Sequence, residues 1–172
     1  MVLTADHGDS LGEAGRWGHA YTLFPEVVRI PLVVHAPASL QTRLADPSTL
    51  AFSTDITPTL YALTDHPVEP SASRVLGRPL LRQQATPSSD AADWQLLVSS
   101  YGPVYGILRG QGRWLYIVDA VNYRDYYYDL DADAAGERNL VTSDIRRAQQ
   151  ALIREGVQDI NRFFEMSKSF EQ

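Results

Sequence analysis

The sequence has 172 residues, 44% hydrophobic and 21% charged, with a formal net charge of −6 and a pI near 5.1. That is enough chain for one globular domain with a core, and the composition is neither fibrous nor disordered. Its cations are scattered among acids, so there is no electrostatic footprint for nucleic acid; the lack of cysteine excludes disulfides, zinc–thiolate centres and a cysteine nucleophile within these residues; and no run reaches the roughly 18–20 apolar residues of a membrane-spanning helix.

Met1 to Ala5 is a short apolar run that meets the polar turn Asp6-His7-Gly8-Asp9, the pattern of a buried strand running into a loop. With only three residues ahead of Thr4, an internal start on a strand of a larger sheet is expected. Residues 12–21 hold three glycines and form a loop expected to wrap over a site, pinned by a Glu13–Arg29 pair. Arg16 and Trp17 either border that site's entrance or pack the loop. The run 27–35 (VVRIPLVVH) predicts a strand buried on both faces, with Pro31 arguing for an edge, a bulge or the strand's first half. Ser53, Thr54 and Asp55 offer N-caps for a helix over 56–64, with Asp55 the expected cap. Residues 65–93, rich in Pro, Ser, Ala and Gln, read as a surface connection.

Beyond Asp93 the pattern changes. Short runs rich in Val, Ile, Tyr and Trp at 94–100, 104–109, 114–118 and 125–129 are separated by short turns, the first two carrying Gly102-Pro103 and Gly110-Gln111-Gly112, which predicts an antiparallel meander. Ile145, Ala148, Leu152, Val157, Ile160 and Phe164 lie on one stripe of a helix expected over 144–166. The tyrosines 126–128 are expected to pack the meander against that helix. The domain organisation that follows is an α/β portion over 1–82, a flexible connection over 83–93, and a small antiparallel sheet with its C-terminal helix over 94–172.

The chemistry-bearing residues are Asp6 and His7. At a strand's end two neighbours can converge on one ion, and a carboxylate oxygen with an imidazole nitrogen suits a divalent cation. As a bare tripeptide, Asp-His-Gly reads first as a loop Asp capping a turn beside a surface histidine, and only second as a metal pair. The wider pattern is more specific. Ala5-Asp6-His7-Gly8, Leu11-Gly12-Glu13, Gly15, His19, Glu26 and Arg29-Ile30-Pro31-Leu32-Val33 are followed by Thr54-Asp55-Ile56-Thr57-Pro58-Thr59-Leu60. Near the far end come Tyr128-Asp129-Leu130-Asp131-Ala132-Asp133 and Glu137-Arg138-Asn139-Leu140. This ordered set resembles the sulfatases of the alkaline phosphatase superfamily, departing from their pattern at Ala134, where proline is usual.

The resemblance implies the C-terminal part of an alkaline-phosphatase-like parallel-sheet α/β domain followed by a small antiparallel sheet and helix. It implies that Asp6 and His7 are two ligands of a divalent metal, Ca²⁺ first, with Mg²⁺, Mn²⁺ or Zn²⁺ as alternatives. His19 is implied as the group that touches the transferred sulfuryl or phosphoryl group, or its leaving oxygen; a second metal or a solvent-facing role are the alternatives for it. The substrate of the full-length protein would be a small-molecule or glycan sulfate or phosphate ester. In this family the nucleophile and the first metal-binding aspartates lie far upstream, so the chain alone is expected to be inactive. The alternative functions are part of a phosphoryl-group hydrolase or transferase of the same superfamily (the phosphonate monoester hydrolase or phosphoethanolamine/glycerol-phosphate transferase type) and a short non-catalytic module.

Overall fold

The computed structural model describes residues 1–66, 77–82 and 93–163. Residues 83–92 of the expected connection, and Phe164 and Met166 of the expected helix, lie outside the described residues. In chain order the elements are β1 (Val2–Thr4), β2 (Ser10–Leu11), β3 (Trp17–Gly18), α1 (Pro25–Val28), β4 (Leu32–Val34), α2 (Ala38–Gln41), α3 (Ile56–Leu63), β5 (Trp94–Val98), β6 (Val104–Arg109), β7 (Trp114–Asp119), β8 (Arg124–Asp129) and α4 (Ser143–Phe163), with 3-10 turns at Glu13–Gly15 and Ser53–Asp55. They divide into two compact units, Met1–Thr4 with Leu32–Ala91, and Ala5–Pro31 with Ala92–Gln172.

In the first unit β1 and β4 pair with Val2 opposite Val34 and Thr4 opposite Leu32. The pair runs antiparallel, so the parallel ladder expected of the larger fold is not among the described residues. The continuous strand expected over 27–35 also breaks. Pro25 occupies the first turn of α1, where its missing N–H is harmless, and Pro31 stands just before β4, where it interrupts no ladder bond. Asp55, 2% exposed, does not cap α3 with its side chain. Its carboxylate accepts the N–H of Phe52 and that of Arg78, both at 2.9 Å, fastening residues 77–82 to the start of the helix. Thr59 completes the lock, donating to the Asp55 carbonyl and accepting from the Leu80 N–H. Gly77 belongs there because its φ is +90° and a Cβ would overlap the Thr54 carbonyl.

The second unit is built on a four-stranded meander in the order β5-β6-β7-β8, every pair antiparallel. Because side chains alternate along a strand, the sheet has two apolar faces, and both are covered. On one, Ile107, Tyr116 and Ile153 form a buried cluster with Trp94, Leu96, Tyr127, Leu152 and Val157, most of it contributed by the sheet and by α4. On the other, Val104, Leu115, Ile117, Tyr128 and Leu130 close over Leu23, with Phe24, Val28 and Tyr126 packed alongside. The tyrosine run therefore splits: Tyr127 stacks on Trp114 at 5.3 Å, while Tyr126 meets Phe24 edge-on at 5.1 Å. The stripe of α4 is shifted too, since Ala148 is exposed while Gln149, Ile153 and Gly156 are buried. Gly156 lets the helix approach Trp94 and Leu96 closely. The open edge of β8 is covered by the segment after it. Leu140 N–H donates to the Tyr127 carbonyl at 2.8 Å, and the Asn139 side chain accepts from Tyr127 N–H and donates to the Asp125 carbonyl, so an amide side chain stands in for a stretch of strand backbone.

Two carboxylates hold the turn after β8. Asp129 takes a two-pronged bond from Arg113 at 2.7 and 3.0 Å, and this bond holds its pKa below the usual carboxylate value. Asp133 accepts the N–H groups of Arg138 and Glu137, and those bonds depress it likewise. A carboxyl whose folded pKa is depressed adds stability that is complete above the unfolded value of ~4 and is lost as pH falls through the folded value. The thermal midpoint of the chain should hold from pH 7 to about 5 and fall below about 4. Asp133→Asn, already lacking the titrating group, should fall less steeply there; parallel curves for the two proteins would remove the turn from the account.

Candidate active site

The site is assembled within the second unit, from the segment 5–31. Just past Asp6 and His7 the chain lies directly on α1: the Gly8 N–H donates to the Val27 carbonyl at 2.8 Å, and a Cβ at position 8 would overlap the Glu26 carbonyl oxygen. Only glycine permits that approach. The chain then folds back as the β2–β3 hairpin, with Ser10 opposite Gly18 and Leu11 opposite Trp17. Its turn uses left-handed backbone at Gly12, Ala14 and Gly15. The residues just outside the paired strands are Asp9 and His19, and they meet, His19 Nδ1 lying 3.4 Å from Asp9 Oδ1. The same register stacks the His19 ring on His7, centroids 4.2 Å apart and planes 24° from parallel.

The bonding of His7 decides its chemistry. Its Nδ1 lies 2.9 Å from the Gly8 carbonyl oxygen, an acceptor only, so Nδ1 carries a proton and, in the neutral ring, Nε2 is the nitrogen that offers a lone pair. Asp6 uses one oxygen to accept the His7 backbone N–H at 3.0 Å. Its other oxygen stands 3.7 Å from His7 Nε2. The N–H groups of Asp6 itself and of His7, then the nearby imidazole of His7, hold the Asp6 carboxyl below its usual pKa.

Those two atoms fit a divalent cation as partners. Ligands that each lie ~2.1–2.4 Å from one ion stand about 3–4 Å from each other, and the Nδ1 bond to a carbonyl is the second-sphere contact that orients a metal-binding imidazole. They do not make a whole centre. Zinc takes about four ligands and calcium about six to eight, while among the described residues no three His, Asp or Glu side chains gather into a metal-holding group.

The pair that pins the loop is Arg16–Glu26, in place of the expected Glu13–Arg29. Arg16 Nε and Nη2 lie 2.8 and 3.1 Å from the Glu26 oxygens, and Ser10 donates to the same carboxylate at 2.7 Å. Glu13 turns inward on its own loop, accepting the Leu11 N–H, and Arg29 reaches toward the Ala134 carbonyl. Arg16 thus packs the loop. Asp9, Ser10 and the Arg16–Glu26 link were not singled out from sequence as parts of the site; a glycine-rich loop carrying one arginine is the signal that could have found the link.

Comparison with known proteins agrees with the motifs. Residues 1–66 match the family model described as Sulfatase. The choline-sulfatase of Rhizobium meliloti (strain 1021) is 28% identical over 160 residues, 89% of this chain and 29% of that protein. Among solved structures, BT1596, a 2-O GAG sulfatase, superposes with a TM-score of 0.66 at 19% identity over 99% of this chain and 38% of its own. BT4656, solved in complex with its substrate D-glucosamine-2-N,6-O-disulfate, gives 0.66 at 20% identity, over 95% of this chain and 34% of its own. By fold the chain is of the alkaline-phosphatase-like α/β class to which these structures belong. Its first 66 residues are similar to the Sulfatase family, and the chain spans about a third of the length of the relatives it matches.

Proposed function

We propose that this chain forms one wall of the active site of a metal-dependent sulfuric ester hydrolase, with Asp6 and His7 as two of the metal's ligands and His19 as the residue that touches the sulfuryl group or its leaving oxygen. The observation that carries this reading is the placement of Asp6 Oδ2 and His7 Nε2 3.7 Å apart with the His19 ring stacked beside them. A bound divalent cation, Ca²⁺ first, would neutralise charge building on the non-bridging sulfuryl oxygens. The carbonyl of Gly8 fixes the imidazole of His7 in the tautomer that offers Nε2. His19, held against Asp9, is oriented to donate a hydrogen bond or a proton toward the ester oxygen as it departs. The nucleophile and the remaining ligands are assigned to residues outside these 172.

The substrate class is a sulfate ester of a small alcohol or a sugar. The similarity to a choline-sulfatase and to a structure holding a sulfated glucosamine supports that class. The first test is the chain alone. The isolated 172 residues should show no turnover of an aryl sulfate or an aryl phosphate with any of the four metals. Metal-dependent hydrolysis that follows the protein through purification would overturn the assignment of the nucleophile elsewhere.

A further inference from the structure

Arg16 has more partners than a loop clamp needs. Besides Glu26, its Nη1 donates to the Gly136 carbonyl at 2.8 Å and its Nη2 to the Ala135 carbonyl at 2.5 Å. Its guanidinium also covers the Phe24 ring at 4.3 Å. The side chain is 14% exposed and that of Glu26 12%, so one part-buried fork joins the hairpin, α1 and the turn after β8. That turn is itself preset. Asp133 accepts the N–H groups of Glu137 and Arg138, and its own carbonyl accepts the Gly136 N–H at 3.0 Å. Gly136 adopts φ +60° with its Cα side packed on Pro25 and Tyr128, which leaves the carbonyls of Ala135 and Gly136 to face Arg16.

The consequence falls on the histidines. Ser10 on β2 and Arg16, just before β3, both donate to the one carboxylate of Glu26, so both strands of the hairpin are fastened to α1 at a single point. The register they hold is the one that sets His19 opposite Asp9 and against His7. We propose that Arg16 is a positioning residue: through its bonds to the 135–136 carbonyls and to Glu26, the turn after β8 sets the relative placement of His7 and His19. This rests on the reading of those histidines as site residues, and it extends that site to a turn more than a hundred positions away in sequence.

The test reads the histidine rings directly, in the 172-residue chain, by two-dimensional NMR of the imidazole carbons and protons. Because the rings are stacked, each proton feels the neighbour's ring current. In Arg16→Met, and independently in Asp133→Ala, both His7 and His19 resonances should move toward those of an unstacked imidazole, while the tyrosine and methyl signals of the β5–β8 sheet stay in place. Arg16→Lys, which keeps the charge but lacks the fork, should show the same displacement in smaller degree. His7 and His19 at their original positions in either folded variant would overturn the proposal, including the case in which only the melting temperature drops. Should Arg16→Met fail to fold, Asp133→Ala and Arg16→Lys decide. The readout needs no metal and no turnover. Displaced rings in Arg16→Met, together with full activity after loss of His7 in the longer protein, would therefore overturn the hydrolase reading and leave the positioning role standing.

Discussion

Replacing His7 by alanine in a polypeptide that carries the whole site should lower turnover of an aryl sulfate by about 10²–10³-fold or more, the range seen when one charge-stabilising group is taken from a reacting centre. The reason is local. Nδ1 is committed to the Gly8 carbonyl, so Nε2 is the only ring atom able to bind the cation, and no other described side chain completes a three-ligand group that could compensate. Asp6→Asn should fall in the same direction, since it keeps the shape and removes the charge. If the two act through the metal, dialysed protein should also hold less of it, and excess metal should restore part of the activity of Asp6→Asn. Replacement of the partner ring, His19→Gln, should lower kcat without changing metal content if, as proposed, that side chain touches the ester and not the metal. Full activity in His7→Ala would remove the metal role; metal loss in His19→Gln equal to that in His7→Ala would make His19 a ligand and displace it from the ester.

It was the resemblance to the sulfatase motifs that set Asp6, His7 and His19 apart from the chain's other two histidines, and in the structure the His19 ring stacks on His7. The meander was plain, because strands of alternating Val, Ile and Tyr between short turns leave few other arrangements. What sequence did not reveal is how the two are joined. Periodicity shows that a sheet has an apolar face, but an all-round apolar strand such as WLYIV at 114–118 needs cover on both sides, and only the three-dimensional contacts show that Leu23 and Phe24 supply the second. The pairing of charges was opaque for a related reason. Glu13, Arg16, Glu26 and Arg29 offer several combinations of similar spacing, and the choice between them depends on which carbonyls lie within reach of a fork. Those carbonyls belong to residues 135 and 136, and nothing in local sequence ties them to the loop. Run length misled at 27–35, where apolar continuity concealed a helical turn started by Pro25.

Loss of Glu26 should strongly destabilise the second unit. Its carboxylate takes three hydrogen bonds, two from Arg16 and one from Ser10, and both charged side chains are mostly shielded from water. An exposed pair would contribute less than ~1 kcal/mol. Removing one partner of a buried pair leaves the other charge without an equivalent, a loss of about 3–5 kcal/mol, which is a large share of the ~5–15 kcal/mol that holds a domain together. Glu26→Ala should therefore unfold at markedly lower urea than the parent. Glu26→Gln, which keeps an acceptor for Ser10 and part of the fork, should lie between them. The informative variant is the double replacement Arg16→Met with Glu26→Leu: it removes both charges, fills similar volume, and should recover most of the stability. A cost below ~1 kcal/mol for Glu26→Ala would mean that the pair behaves as a surface bridge. Recovery in the double variant would also separate two roles that the single ones confound. The apolar pair can restore the packing between loop and α1, but it has no N–H to offer the carbonyls of Ala135 and Gly136, so stability should return while the stacked placement of His7 and His19 does not.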